Sequence, residues 1–142
     1  MLFRSEAAKN SAAVFDLSNR VHLELVGPDR NAFLHNFCTN DINAMPAGTA
    51  CEAFLLNAKG RMLGYVQIYV GENNTWVESV PGQGEFLQSH LTKYHLLEDF
   101  ELKNRSDARC EMFVTGPNAQ AQVNSLFDRK RTRLNSSHVV TP

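Results

Sequence analysis

An α+β fold, an antiparallel sheet with helices packed on it, is what this 142-residue sequence predicts, and three observations carry the prediction. Val21, Leu23 and Leu25 alternate with His22 and Glu24, and Val66, Ile68 and Val70 alternate with Tyr65, Gln67 and Tyr69, the period-two pattern of strands with two unlike faces. Asn57-Ala58-Lys59-Gly60 and Gly71-Glu72-Asn73-Asn74 have the chemistry of tight hairpin turns, which join strands in antiparallel order. Leu87, Leu91 and Tyr94 recur at helical spacing.

The elements follow in order. Residues 1–12 are polar and alanine-rich and read as a loose lead-in. Ala13 to Leu17 is a short strand running into a Ser18-Asn19 turn, and the alternating strand from Val21 stops at Gly27-Pro28-Asp29. Proline at a first helical position, followed by an acid at the positive helix end, starts a helix there. Ala32, Phe33 and Phe37 share its face, so it runs to about Cys38. Thr39-Asn40-Asp41 and Pro46-Ala47-Gly48 bound a loop, after which Cys51–Leu56, Met62–Val70 and Thr75–Val80 are strands joined by the two hairpins. The longest helix starts near Gln83, with Leu97 next in its apolar series. Phe100–Leu102 and Cys110–Val114 are further strands around turn residues Asn104 to Asp107, and a last helix runs from Pro117 toward Phe127. Leu25-Val26-Gly27-Pro28-Asp29 is echoed by Val114-Thr115-Gly116-Pro117-Asn118, each between a strand and a helix.

Composition narrows the function classes. With 43% hydrophobic and 20% charged residues, the chain is neither collagen-like, coiled-coil nor wholly disordered, and its length suits one domain with a real core. No apolar run approaches the ~20 residues that cross a bilayer, and the first residues lack the apolar stretch of a secretory signal. The net charge of −1 conceals an asymmetry: Arg129, Lys130, Arg131 and Arg133 against Asp128 give the last fifteen residues +3 and leave −4 for residues 1–127. Three cysteines without a CxxC pair fit free buried thiols in a reducing compartment.

Motif chemistry is sparse. There is no GxxxxGK[ST] or GxGxxG phosphate loop, no HExxH and no GxSxG elbow. Five histidines are scattered, and His90 and His95, five apart, do not share a helix face well enough to chelate a metal, so surface or half-buried histidines are expected. Cys38 and Cys51 have no neighbouring histidine or basic cluster to activate them and read as packing. The face of Tyr65, Gln67 and Tyr69 has two readings: an ordinary sheet surface turned to solvent or a helix, or the wall of a pocket for a flat polar ring. The basic tail has nucleic-acid-like charge but no aromatics, and a solvated tail is the default.

Taken together, the motifs carry a family resemblance. Val14-Phe15-Asp16-Leu17-Ser18, Val26-Gly27-Pro28-Asp29 with Phe33-Leu34, Thr39-Asn40-Asp41-Ile42, Gly48 and Leu55-Leu56-Asn57-Ala58-Lys59-Gly60 stand in the order and spacing of one known domain. It resembles the folate-binding domain shared by glycine-cleavage T-proteins (aminomethyltransferases) and YgfZ-type proteins, from about Ala13 to Phe127. The resemblance implies an α+β domain of antiparallel sheet and helices, with tetrahydrofolate, or a one-carbon derivative of it, in a cavity shared with later domains.

Within that family the chain looks like the YgfZ branch. The T-protein stretch GG-x-x-DD corresponds to Gly60-Arg61-Met62-Leu63-Gly64-Tyr65, with Gly64 and Tyr65 in place of both acids, so no carboxylate remains there to stabilise charge developing on a folate amine. Glu52 and Pro81 also depart from the T-protein pattern, whereas Val80-Pro81, Lys93-Tyr94-His95-Leu96, Phe100-Glu101-Leu102 and Arg105-Ser106-Asp107 agree with the YgfZ branch. This branch implies assistance to iron–sulfur client enzymes, including tRNA-modifying ones, in the cytoplasm, or in the mitochondrial matrix of a eukaryote although no clear transit peptide is present. It implies no catalytic residue, no metal ligand, no membrane and no direct nucleic acid partner, and a folate wall formed by Glu52, Tyr65, Gln67 and Tyr69. The branch's K-G-C-x-x-G-Q-E motif would lie beyond this chain, and none of Cys38, Cys51 or Cys110 stands in such a motif. The alternative is an aminomethyltransferase whose acid comes from Asp41 or Glu52.

Residues 128–142 resemble the translation of a sequencing-library adapter, so the expectation is a non-native tail on a domain, 13–127, cut from a longer protein. Surface meant to pack on the missing part is then exposed.

Overall fold

The computed structural model describes residues 2–128. In chain order the elements are α1 (Leu2–Asn10), β1 (Ala13–Asp16), β2 (Val21–Val26), α2 (Arg30–His35), β3 (Thr49–Leu56), β4 (Met62–Val70), β5 (Asn74–Ser79), α3 (Gly84–Tyr94), β6 (Glu101–Asn104), a 3-10 turn (Ser106–Ala108), β7 (Met112–Thr115) and α4 (Ala119–Asp128). They form two compact units, one of residues 18–109 and one that joins the ends of the described chain.

In the larger unit β3, β4, β5, β2 and β6 lie in that order in one antiparallel sheet. The two hairpins make β3–β4–β5 a meander, and β2 inserts between β5 and β6. Period-two alternation gives this sheet one apolar face. Leu23, Leu25, Val66, Ile68 and Val77 there are fully buried against Phe33 and Leu34 of α2 and Leu87 and Leu91 of α3. Each such side chain contributes about 1.5–3 kcal/mol on removal from water. The α+β architecture of antiparallel sheet and packed helices therefore holds. In the smaller unit β1 and β7 form a two-stranded antiparallel ribbon, with the Phe15 and Phe113 rings 6.1 Å apart.

The sequence echo is a structural echo. Gly27 has φ +143°, and a Cβ there would lie 2.4 Å from the Asp99 carbonyl oxygen; Gly116 has φ +121°, and a Cβ would lie 2.5 Å from that of Ser11. Two residues on, Asp29 N–H donates to Asp99 O at 3.3 Å and Asn118 N–H to Ser11 O at 2.9 Å. Each Gly-Pro turn thus folds flat over a passing backbone and bonds to it, which only glycine permits.

Several boundaries differ from expectation, each for a local reason. The lead-in over residues 1–12 is a helix from Leu2 to Asn10: Glu6, Ala7, Ala8 and Lys9 favour helix although no apolar stripe announces one. The α2 helix starts at Arg30 and ends at His35. Asp29 does not cap it with its side chain, because that carboxylate accepts the Asp99 N–H at 2.8 Å. Beyond His35 the chain docks on the edge of β3 instead, where Thr39 N–H donates to Phe54 O at 3.1 Å, Leu56 N–H donates to Phe37 O at 2.7 Å and Cys38 bridges Leu55. Leu97 is not on α3; His95 turns extended and Leu97 is 96% exposed. His22 is buried at 1% rather than surface or half-buried, since β2 is an inner strand of the sheet. The cysteines are free, but Cys110 is exposed and Cys38 and Cys51 are half-buried. Of the predicted tail, 128–142, Asp128 ends α4, and residues 129–142, His138 among them, lie outside the described residues.

Candidate functional site

Register across β3 and β4 assembles the site. Glu52 pairs with Gln67 and Phe54 with Tyr65, so both pairs stand on the face turned away from α2, α3 and the core. The Glu52 carboxylate acts on the Tyr65 phenol, whose pKa is pushed above its ordinary 10.0 by burial first, then by Glu52. Gln67 Oε1 receives Arg20 Nη1 at 3.3 Å and the Tyr69 hydroxyl at 3.3 Å. Phe54 meets Tyr65 edge to face, with centroids 5.9 Å apart, and Phe54 is 43% exposed.

All four residues chosen from the sequence thus lie on two neighbouring strands, and they play unlike parts. Glu52, Tyr65 and Gln67 offer polar atoms at the surface. Tyr69 is 8% exposed, and it acts through its hydroxyl on Gln67 and not as an open ring face. Sequence reasoning missed Arg20 and Phe54. Arg20 precedes β2, and only the fold brings it to Gln67. Phe54 was legible as the partner of Tyr65 once the Asn57–Gly60 hairpin fixed the register. The same face carries His22 Nδ1 at 3.4 Å from Glu78 Oε1, both side chains buried, and Trp76 under the Arg109 guanidinium.

The positions that the resemblance equates with an acid pair separate cleanly. Adjacent strand residues face opposite ways, so only Tyr65 reaches the polar face. Gly64 lies on the core side, where a Cβ would stand 2.7 Å from Gln83 Oε1. Asp41, the other carboxylate, is held by His35 Nδ1 at 3.3 Å and accepts the Ala44 N–H at 3.2 Å.

Chemically, the cluster presents a carboxylate, a phenol kept neutral, an amide and a guanidinium beside an exposed aromatic ring. That donor set suits a flat heteroaromatic ligand with N–H groups along one edge. A shallow surface depression lined by Glu85, Gln88, Ser89, Thr92 and Lys93 lies on α3, on the other side of the sheet, and shares no residue with the cluster.

Comparison with known proteins places the fold. The chain is 28% identical over 123 residues to an aminomethyltransferase of Bacillus subtilis (strain 168), covering 87% of this chain and 34% of that protein. It is 26% identical over 141 residues to an aminomethyltransferase of Chloroherpeton thalassium, covering 99% of this chain and 39% of that one. Among solved structures, that of glycine cleavage system aminomethyltransferase T from Bartonella henselae superposes with a TM-score of 0.78 at 19% identity, over 87% of this chain and 34% of that one, a likeness of fold. The chain spans about a third of the length of these relatives. The GCVT N-terminal domain profile matches residues 4–140. The chain belongs to the GCVT N-terminal domain family.

Proposed function

We propose that this chain supplies a tetrahydrofolate-facing wall of an aminomethyltransferase-like protein, whose complete form transfers a one-carbon unit to tetrahydrofolate. The observation that carries the proposal is the gathering of Glu52, Gln67 and Tyr65 on the polar face of β3 and β4, set by the cross-strand pairs Glu52–Gln67 and Phe54–Tyr65. The aminomethyltransferase relatives support it.

The residues fit the ligand's chemistry. A pterin ring has amide and amino N–H groups along one edge, which the two oxygens of Glu52 can accept. Gln67 adds an amide, and Phe54 offers apolar contact to a flat ring. When bound, tetrahydrofolate supplies the amine nitrogens that take up the one-carbon unit. Glu52 then holds negative charge close to that chemistry, in place of the acid pair missing at Gly64-Tyr65.

Tetrahydrofolate titration of the full-length protein tests the wall: the double variant Glu52→Ala/Tyr65→Ala should bind about ten-fold or more weakly, and unchanged binding overturns it. A glycine-cleavage assay with a lipoyl carrier protein tests the reaction. Glu52→Gln should lower turnover by about a hundred-fold or more.

A second reading keeps the same folate wall in a YgfZ-type protein that assists iron–sulfur client enzymes, including tRNA-modifying ones, in the cytoplasm. It is favoured by the replacement of both acids by Gly64 and Tyr65. Tetrahydrofolate binding without turnover on the carrier protein, together with iron–sulfur enzyme activity lost from cells lacking this protein, would select it.

A further inference from the structure

One row of side chains across the large sheet, on the face opposite the core, reads Tyr69, Trp76, Glu24 and Lys103 over β4, β5, β2 and β6. The 3-10 turn at Ser106–Ala108 sends an arginine onto this row from each of its ends. Arg105 donates through Nε to Glu24 Oε2 at 3.0 Å, and Asn74 donates to Glu24 Oε1 at 3.0 Å. Arg109 lays its guanidinium over the Trp76 ring, its central carbon 3.9 Å from the ring centroid. Because Glu24 and Trp76 are direct cross-strand partners, these two arginines cover side chains rooted about 5 Å apart.

Charge on the row does not close. Lys103 is paired with Glu101, and both oxygens of Glu24 are taken. Arg109 is left with its full complement of N–H donors, since no carboxylate or carbonyl accepts from it among the described residues. A guanidinium remains charged at any working pH, and stacking on indole fixes its plane while leaving its in-plane donors open. A stacked, half-buried guanidinium has already given up much of its side-chain freedom, so a ligand that meets it does not have to order it.

We infer that Arg109 stacked on Trp76, with Arg105 beside it, is a recognition site for an oxyanion group, a carboxylate or a phosphate, carried by a small ligand. Two coplanar oxygens match the arginine fork, and Arg105 has N–H groups beyond the Nε bonded to Glu24. The Arg109–Trp76 stack adjoins the Glu52–Tyr65 cluster through Tyr69, whose hydroxyl bonds Gln67, but it is centred one strand further on, over β5. It does not depend on the folate reading.

Trp76 is the single tryptophan of the chain, so its fluorescence reports on this site alone. Succinate and inorganic phosphate are titrated separately at constant ionic strength, with chloride as the control. A saturable change in Trp76 emission with either anion and none with chloride is expected, and the anion of lower apparent Kd identifies the group recognised. Arg109→Gln should weaken that anion's binding about ten-fold or more. Arg109→Lys, which keeps the charge but not the fork, should weaken it too, and Arg61→Gln on the β3–β4 hairpin should not. No saturable response, or a response that Arg109→Gln retains while still folded, overturns the site and leaves the stack as a structural contact only. Should Arg109→Gln fail to fold, the titration of the unaltered protein and of Arg109→Lys decides.

Discussion

Asp29 and Asp99 clasp each other through two hydrogen bonds. The Asp29 N–H donates to the Asp99 carbonyl at 3.3 Å, and the Asp29 carboxylate accepts the Asp99 N–H at 2.8 Å. Gly27 lies flat against the same backbone, where a Cβ would meet the Asp99 oxygen at 2.4 Å. This joint fixes the entry to α2 against the entry to β6, and both positions can be probed. Asp29→Ala should lower stability by about 1–2 kcal/mol through the lost charge-assisted bond. Gly27→Ala, with both strained φ and collision, should cost about 2–4 kcal/mol. Urea denaturation checks both; a Gly27→Ala midpoint no lower than that of Asp29→Ala would contradict the close approach.

Tyr65 makes the fold sensitive to alkali. Its phenol ionises above the ordinary 10.0 because of burial, then Glu52. A group whose folded pKa is raised stabilises the fold fully below its unfolded value and loses that contribution as pH climbs through the folded one. Stability should therefore fall above pH 10.0 more steeply in the unaltered protein than in Tyr65→Phe. Glu52→Gln should shift the Tyr65 component of the phenolate absorbance curve to lower pH, with the Tyr65→Phe curve as the subtraction. An unshifted curve would deny the coupling.

The thiols should react in a fixed order. Burial, then the neighbouring Cys51, pushes Cys38 from 9.0 to about 12, burial raises Cys51 as well, and Cys110 is exposed. Alkylation near neutral pH, read by peptide mass spectrometry, should label Cys110 first and Cys38 last. The sign is again that of raised groups: what Cys38 contributes to stability is complete below pH 9.0 and is lost toward about 12. Early labelling of Cys38 would mean that the docking of residues 37–39 on β3 opens readily.

The β1–β7 ribbon should bind apolar dye. Val14 and Met112 share one of its faces and are 61% and 64% exposed, and Phe113 on the other is 43% exposed. A two-stranded ribbon has too little area to bury both faces. Val14→Thr together with Met112→Thr should cut dye emission without lowering stability by more than about 0.5 kcal/mol. Undiminished dye binding would place the exposed apolar surface elsewhere.

Local patterns in the chain disclosed the alternating strands, both hairpins and the paired Gly-Pro turns, because each depends on neighbours in sequence. Glu52, Tyr65 and Gln67 could be chosen for the same reason: period two puts the latter pair on one face, and a single hairpin brings Glu52 across from it. What stayed hidden depends on distant partners. His22 reads as a solvent-facing strand residue until β5 and β6 flank it. Asp29 reads as an acid at the positive end of a helix until Asp99 donates its N–H to that carboxylate. Arg20 shows nothing in its own neighbourhood that points to Gln67. The α1 helix was concealed differently, since it rests on the propensity of small and charged residues without an apolar stripe.

The insertion of β2 between β5 and β6 sets an order of assembly. During synthesis β2 emerges before every other strand of its sheet, yet Val26 must wait for both Asn74 and Glu101 to find its neighbours. The β3–β4–β5 meander needs only short loops to close and collapses first. Until β6 leaves the ribosome, the edge of β2 that does not face β5 keeps an unpaired backbone, open to chaperones or to aggregation. Slower elongation beyond residue 104 should therefore raise the yield of native sheet, for the strand made first holds an inner place whose second neighbour is made last.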